Sequence, residues 1–210
     1  MSTESLVKRY PNVHCGLDVR VDDFCILGEP AKGVEAGALP LMIGDYSIIR
    51  SHSVLYAGVR VGKRFQCGHS VLIRENSIVG DDCSIGSGSV VEFEVTMEDG
   101  VRLHSQCFVP EYSYLEAGCW LGPRVVVTNA RYPAALRTKK TLEAVRVGQR
   151  AIIGANATLL PGIVVGAGSL VGAGAVVLND VKAGTIVVGN PARSIGMVRD
   201  LADAEGYIYR

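Results

Sequence analysis

The sequence predicts an all-β fold, a parallel β-helix of stacked six-residue units, and three observations lead to it. Stepping by six from Ile43 meets only apolar residues at fifteen consecutive positions: Ile43, Ile49, Leu55, Val61, Cys67, Ile73, Val79, Ile85, Val91, Met97, Leu103, Val109, Leu115, Leu121 and Val127. Four places after each of the first fourteen, the side chain is small or apolar and never charged, from Ser47 and Ser53 to Cys119 and Val125. Glycine often follows the apolar residue directly, as at Gly44, Gly62, Gly80, Gly86 and Gly122. A period of six with two inward positions fits neither a helix nor a half-buried alternating strand. It suits short strands joined by turns, each feeding a narrow core.

The elements follow in chain order. Cys15, Val21 and Leu27 form a short opening run. A Gly-, Pro- and Ala-rich connection of about residues 28–42, GEPAKGVEAGALPLM, then interrupts the period. The long run ends at Val127, and a loop of about residues 133–146 protrudes before a second run, Val147, Ile153, Leu159, Val165, Val171 and Val177. Around that loop stand Arg131, Arg137, Lys139, Lys140 and Arg146, the most basic stretch of the chain. It suits either a solvated surface or closure over an anionic, phosphate-rich ligand. Residues 1–192 are expected to form one β-helix domain, with 193–210 as a C-terminal tail or short helix.

Three units make a coil of 18 residues, so residues 18 apart lie above one another at the spacing of about 4.8 Å for parallel strands. The first face then contains Ile43, the second Ile49, Cys67, Ile85, Leu103, Leu121, Ile153 and Val171. The third contains Leu55, Ile73, Val91, Val109, Val127, Leu159 and Val177.

The 21 basic and 21 acidic residues balance, with no Lys/Arg block of the kind that reads as a nucleic-acid tract. The opening MSTESLVKRYPNVH lacks an apolar signal stretch, and no run reaches membrane-spanning length. A cytoplasmic protein without nucleic-acid or membrane partners is expected. All six cysteines keep the register, Cys15 and Cys67 at the large inward position and Cys25, Cys83, Cys107 and Cys119 at the small one. They read as buried hydrophobes rather than as disulfides, metal ligands or nucleophiles. P-loop, HExxH and Rossmann fingerprints are absent from the sequence.

With its glycine-punctuated tandem, the loop after Val127 and the late segment VVLNDVKAGTIVVGNPAR, the chain resembles the hexapeptide-repeat acyltransferases from Cys15 to Arg193. The resemblance implies a left-handed helix, although the usual crossover rule favours the opposite hand. GHSVLIRENSIVGDDCSIGSGSVV and VRLHSQCFVPEYSYLEAGCWLGPRVVVTNARYP look most like the branch that N-acetylates nucleotide-linked amino sugars. The resemblance therefore implies acetyl-CoA as co-substrate and a homotrimer with sites between subunits.

The third face departs most from the glycine rule, with Tyr56, Arg74, Glu92, Pro110 and Thr128 after its apolar positions. Arg74 and Glu92 are 18 apart and should stack as an ion pair worth roughly 0–1 kcal/mol at a surface. Glu75, Phe93, Glu111 and Asn129 form a second ladder running toward the basic loop. Arg74, Glu92, Glu111 and Arg131 are expected to bind the acceptor. Acyl transfer to an amine needs a proton acceptor, and neutral imidazole supplies one. Of the four histidines, His69 is the first candidate base and His104, which replaces a glycine, the second; Glu75 would assist or orient. A hydrogen bond between subunits is the structural role either imidazole could fill instead. Within the resemblance, Ala155, Gly168 and Ala173 would meet the pantetheine arm, Asn129 the thioester end, and Lys182 and Arg193 the CoA phosphates. The competing readings are another amine or hydroxyl acceptor, a zinc γ-type carbonic anhydrase sharing this fold, and a scaffold without catalysis.

Overall fold

A computed structural model describes residues 6–201. The chain winds in turn through three sheets of 9, 8 and 10 strands, parallel up to the final strand, and each of the first eight coils contributes one short strand to each. The architecture is the left-handed parallel β-helix of hexapeptide repeats. Register follows the 18-residue step, with Ile73 opposite Leu55 and Val91, and Ile85 opposite Cys67 and Leu103. The basic loop is absorbed as an insertion: Leu115 pairs with Val147, Leu121 with Ile153 and Val127 with Leu159.

Both inward series of the two long runs are buried along their whole length. Stacking explains this, because each coil covers the apolar side chains of the last. The inward serines are satisfied between coils. The Ser89 hydroxyl donates to the His104 carbonyl at 3.0 Å and accepts the Cys107 amide at 3.1 Å. Among the described residues, no buried side-chain nitrogen or oxygen lacks a partner.

The glycine after an inward residue has a steric cause. A Cβ on Gly68 would sit 2.3 Å from the Ser87 hydroxyl of the next coil. Two residues later, most corners turn through a left-handed residue, such as His52, Ser70 or Gly168.

The ends deviate from the register. Cys15 is exposed, unlike the other five cysteines, which are buried. Its position is inward by sequence, but the first coil has a neighbour on one side only. At the other end, the segment expected as a tail or short helix from residue 193 begins as a strand. Arg193–Met197 pairs antiparallel with Thr185–Val188 and covers the edge of the 10-stranded sheet, and a 3-10 turn spans Val198–Asp200. Residues 202–210 of that segment lie outside the described residues. Among the described residues, no helix is long and apolar enough to cross a membrane.

Candidate active site

Corners, where side chains leave the coil, position the polar groups. At the corner between the second and third faces, Ser51, His69, Ser87, Ser105, Pro123 and Ala155 lie in one column. Each of their carbonyls accepts an amide from the next coil, ending with Gly174 N–H on Ala155. Ala173 continues the column. His69 and His104 line one groove of about 340 Å³ there, with Arg50, Gln66, Arg102 and Ser105.

His69 Nδ1 is 2.9 Å from the Ser51 hydroxyl, and its backbone amide donates to the Ser87 hydroxyl at 3.0 Å. His104 meets the edge of Trp120, with ring centroids 4.6 Å apart. Desolvation, with the Arg102 charge adding to it, pushes the His104 pKa below the ordinary 6.5. The neutral imidazole, the form able to take a proton, is therefore favoured.

The predicted acidic strip occupies a different corner, between the third and first faces. Arg74 grips Glu75 through Nε and Nη2, at 2.9 and 2.8 Å, and reaches Glu92 through Nη1 at 3.1 Å. Its guanidinium also lies over the Tyr56 and Phe93 rings, at 5.3 and 5.7 Å from their centroids. The Glu92 pKa is raised, first by burial; Arg74 opposes this and the neighbouring Glu111 adds to it. The expected stack of Arg74 on Glu92 is thus present, and less exposed than a surface pair. Within one chain, however, Glu75 does not join His69 and His104, because a whole face separates the two corners.

Asn129 is buried, and its amide donates to Glu111 Oε2 at 2.9 Å. Its carbonyl accepts the Glu143 amide at 2.7 Å, so Asn129 fixes Glu111 and the loop's return. Arg131 is committed as well. It holds Glu143 through Nε and Nη2, both at 2.8 Å, and donates to the Pro161 carbonyl at 3.1 Å. This clamp closes the base of the loop, while Arg137, Lys139 and Lys140 remain exposed on it.

Ala155 and Ala173 share the His69 corner. Gly168 does not, since it turns the corner between the first and second faces with φ of 61°. Lys182 and Arg193 line one cleft of about 530 Å³ at the C-terminal end, beyond Ala173. The sequence reading did not single out Ser51, Trp120 or Glu143, and it placed His52 only at an exposed position before inward Ser53. Ser51 lies 18 residues before His69, so its place in the column follows from the repeat, while its residue type alone marks no chemistry.

Two stretches match models of the repeat itself. Residues 144–179 match the bacterial transferase hexapeptide (six repeats), and residues 76–109 match the hexapeptide repeat of succinyl-transferase. The chain carries the hexapeptide repeat of bacterial transferases over these two stretches. This hexapeptide-repeat chain is 31% identical over 164 residues to a chloramphenicol acetyltransferase of Agrobacterium fabrum, covering 74% of the chain and 66% of that relative. It thus spans just under two thirds of that protein's length. Among solved structures it resembles the UDP-N-acetylglucosamine O-acyltransferase of Moraxella catarrhalis, with TM-score 0.52, 20% identity and coverage of 90% and 74%. A GDP-perosamine N-acetyl transferase from Caulobacter crescentus matches with TM-score 0.42, 22% identity and coverage of 86% and 57%.

Proposed function

We propose that this chain transfers the acetyl group of acetyl-CoA to the amino group of a nucleotide-linked amino sugar, as a cytoplasmic homotrimer. One observation supports this reading above all: a single corner runs from His69 past Ala155 and Ala173 toward the C-terminal end, where Arg193 lines a cleft together with Lys182 and Asp180. The column from His69 to Ala173 takes five coil steps, roughly 24 Å at about 4.8 Å each. Small side chains leave it open to an extended pantetheine arm, and the cations suit phosphates at its end.

The outer side of the third face supports the trimer. Val54, Leu72, Val90, Phe108 and Val126 are in register there, one above another, with Ile26 before them and Thr158 and Val176 after. Three copies packing this apolar face about a threefold axis would bring the histidine corner of one beside the acidic corner of the next. The two halves of the site, a face apart within one chain, would then meet between chains.

In that arrangement His69 Nε2 takes the proton from the acceptor amine as nitrogen attacks the thioester carbonyl. The carbon–sulfur bond breaks, and the thiolate leaves as CoA thiol on receiving a proton. His104, neutral beside Trp120, stays available to the same groove. Glu75, Glu92 and Glu111 of the neighbouring copy accept hydrogen bonds from sugar hydroxyls. The loop cations Arg137, Lys139 and Lys140 face the nucleotide diphosphate.

A thiol-release assay with acetyl-CoA against UDP-, dTDP- and GDP-linked amino sugars tests the reading, with the product identified by mass spectrometry. The expected product is an N-acetylated nucleotide sugar, lost in His69→Asn. Turnover with an antibiotic, serine or simple-sugar acceptor and none with the nucleotide sugars would overturn it. The likeness to a chloramphenicol acetyltransferase over 74% of the chain favours a hydroxyl acceptor as the second reading.

A further inference from the structure

Ser51 stands between two imidazoles. Its hydroxyl is 2.9 Å from His69 Nδ1 and 3.0 Å from His52 Nδ1. The two histidines come from successive coils, and the stacking of Ser51 directly beneath His69 brings them to one oxygen. His52 is itself held in place, its ring stacked on Phe24 with centroids 5.0 Å apart. It occupies a left-handed corner position with φ of 63°. The charged neighbours are Arg50, ion-paired with Asp22 at 3.6 Å, and Arg102 across the groove.

A serine hydroxyl has one hydrogen to donate and lone pairs to accept with, and a neutral imidazole carries its hydrogen on one nitrogen only. When Ser51 donates to His52 Nδ1, it accepts from His69 Nδ1–H, and the lone pair of His69 is then on Nε2. The opposite direction places a hydrogen on His69 Nε2 and removes the basic nitrogen that is not tied to Ser51. The hydroxyl therefore links the tautomers of the two rings. We propose that Ser51 and His52 are positioning residues for His69, forming the chain His69 Nδ1–H to Ser51 Oγ–H to His52 Nδ1, which keeps the basic lone pair on His69 Nε2. The catalytic consequence rests on His69 being the base proposed above; the hydrogen-bond chain does not.

Long-range proton–nitrogen correlation spectra of the full chain, labelled with ¹⁵N-histidine and assigned by single substitutions of the four histidines, read the tautomers directly. The expected result at neutral pH is His69 as Nδ1–H and His52 as Nε2–H. In Ser51→Ala, His69 should move toward the Nε2–H form, and Ser51→Thr should restore the original. His69 as Nε2–H in the wild type, both rings as Nδ1–H, or no change in Ser51→Ala would each overturn the proposal. Kinetics on the best acceptor of the nucleotide-sugar panel form the second arm. Ser51→Ala and His52→Phe, which keeps the stack on Phe24, should each lower kcat roughly tenfold with KM unchanged, a part of the 10²–10⁴ a positioned base contributes. The double variant should be no slower than either single one, and Ser51→Ala should add nothing to His69→Asn. If His69→Asn costs less than about threefold, the base reading fails while the tautomer spectra still decide the chain.

Discussion

Replacing Arg74 with Met keeps much of the aliphatic volume and removes the only cation hydrogen-bonded to Glu75 and Glu92 among the described residues. The side chains of Arg74 and Glu92 are 30% and 18% exposed, which places the pair between a surface bridge and a buried one. At an effective dielectric near 20, unit charges about 4 Å apart attract by about 4 kcal/mol, and desolvation offsets much of this. A net coupling of about 1–2 kcal/mol between Arg74 and Glu92 remains. Loss of the guanidinium over Tyr56 and Phe93 adds about 0.5–1 kcal/mol. The single variant should therefore be about 2 kcal/mol less stable at pH 7 by thermal or denaturant midpoint.

The pH dependence gives the test its sign. The folded-state pKa of Glu92 is already raised by burial, and without Arg74 it rises further. A raised carboxyl binds its proton more tightly in the folded state, so its stabilising contribution is present at low pH and lost as pH climbs through the folded pKa. Arg74→Met should recover part of its deficit between pH 7 and pH 5. In a double-mutant cycle, Glu92→Gln should lessen the effect of Arg74→Met by about 1–2 kcal/mol. Strict additivity, or a deficit that grows on acidification, would refute this account of the strip.

His104→Asn should weaken turnover at pH values where the wild-type ring is neutral; because its pKa is lowered, the wild-type acid limb of kcat/KM should fall below pH 6.5 if His104 contributes a proton acceptor. Lys182→Ala and Arg193→Ala should each weaken CoA binding by about 1 kcal/mol, roughly fivefold, in calorimetry, as expected for phosphate contacts at an exposed cleft. Phe108→Glu places a charge in the middle of the apolar third face and should reduce the mass seen by light scattering from about three times the 22.3 kDa chain to one. With an aromatic disulfide reagent on the folded protein, Cys15 alone should react fast; Cys67, Cys83 and Cys107, whose burial pushes their pKa up to about 11, should wait for unfolding.

What could be read along the chain was whatever repeats with its period. Inward Ile73 and Val91, the pairing of Arg74 with Glu92, and the column joining His69 to Ala155 all follow from steps of six and eighteen, corrected once for the loop. The same step reaches from Ser51 to His69, but a serine among many carries no chemical signal until a ring nitrogen is known to face it. Trp120 against His104 and Arg131 against Glu143 obey no step, one being a diagonal contact across a sheet and the other a closure across an irregular loop. Asn129, expected at the thioester end, is buried and held by Glu111 and the returning chain.

Periodic burial is a local demand, since every coil must present the same two inward positions to its neighbours, and the amino-acid order alone was enough to decide it. Whether two corners of one prism share a site, whether a cation is already spent on a clamp, and whether Cys15 at an uncovered end meets solvent depend on distances across the fold. Those are set by stacking and closure in three dimensions, and only the tertiary structure decided them.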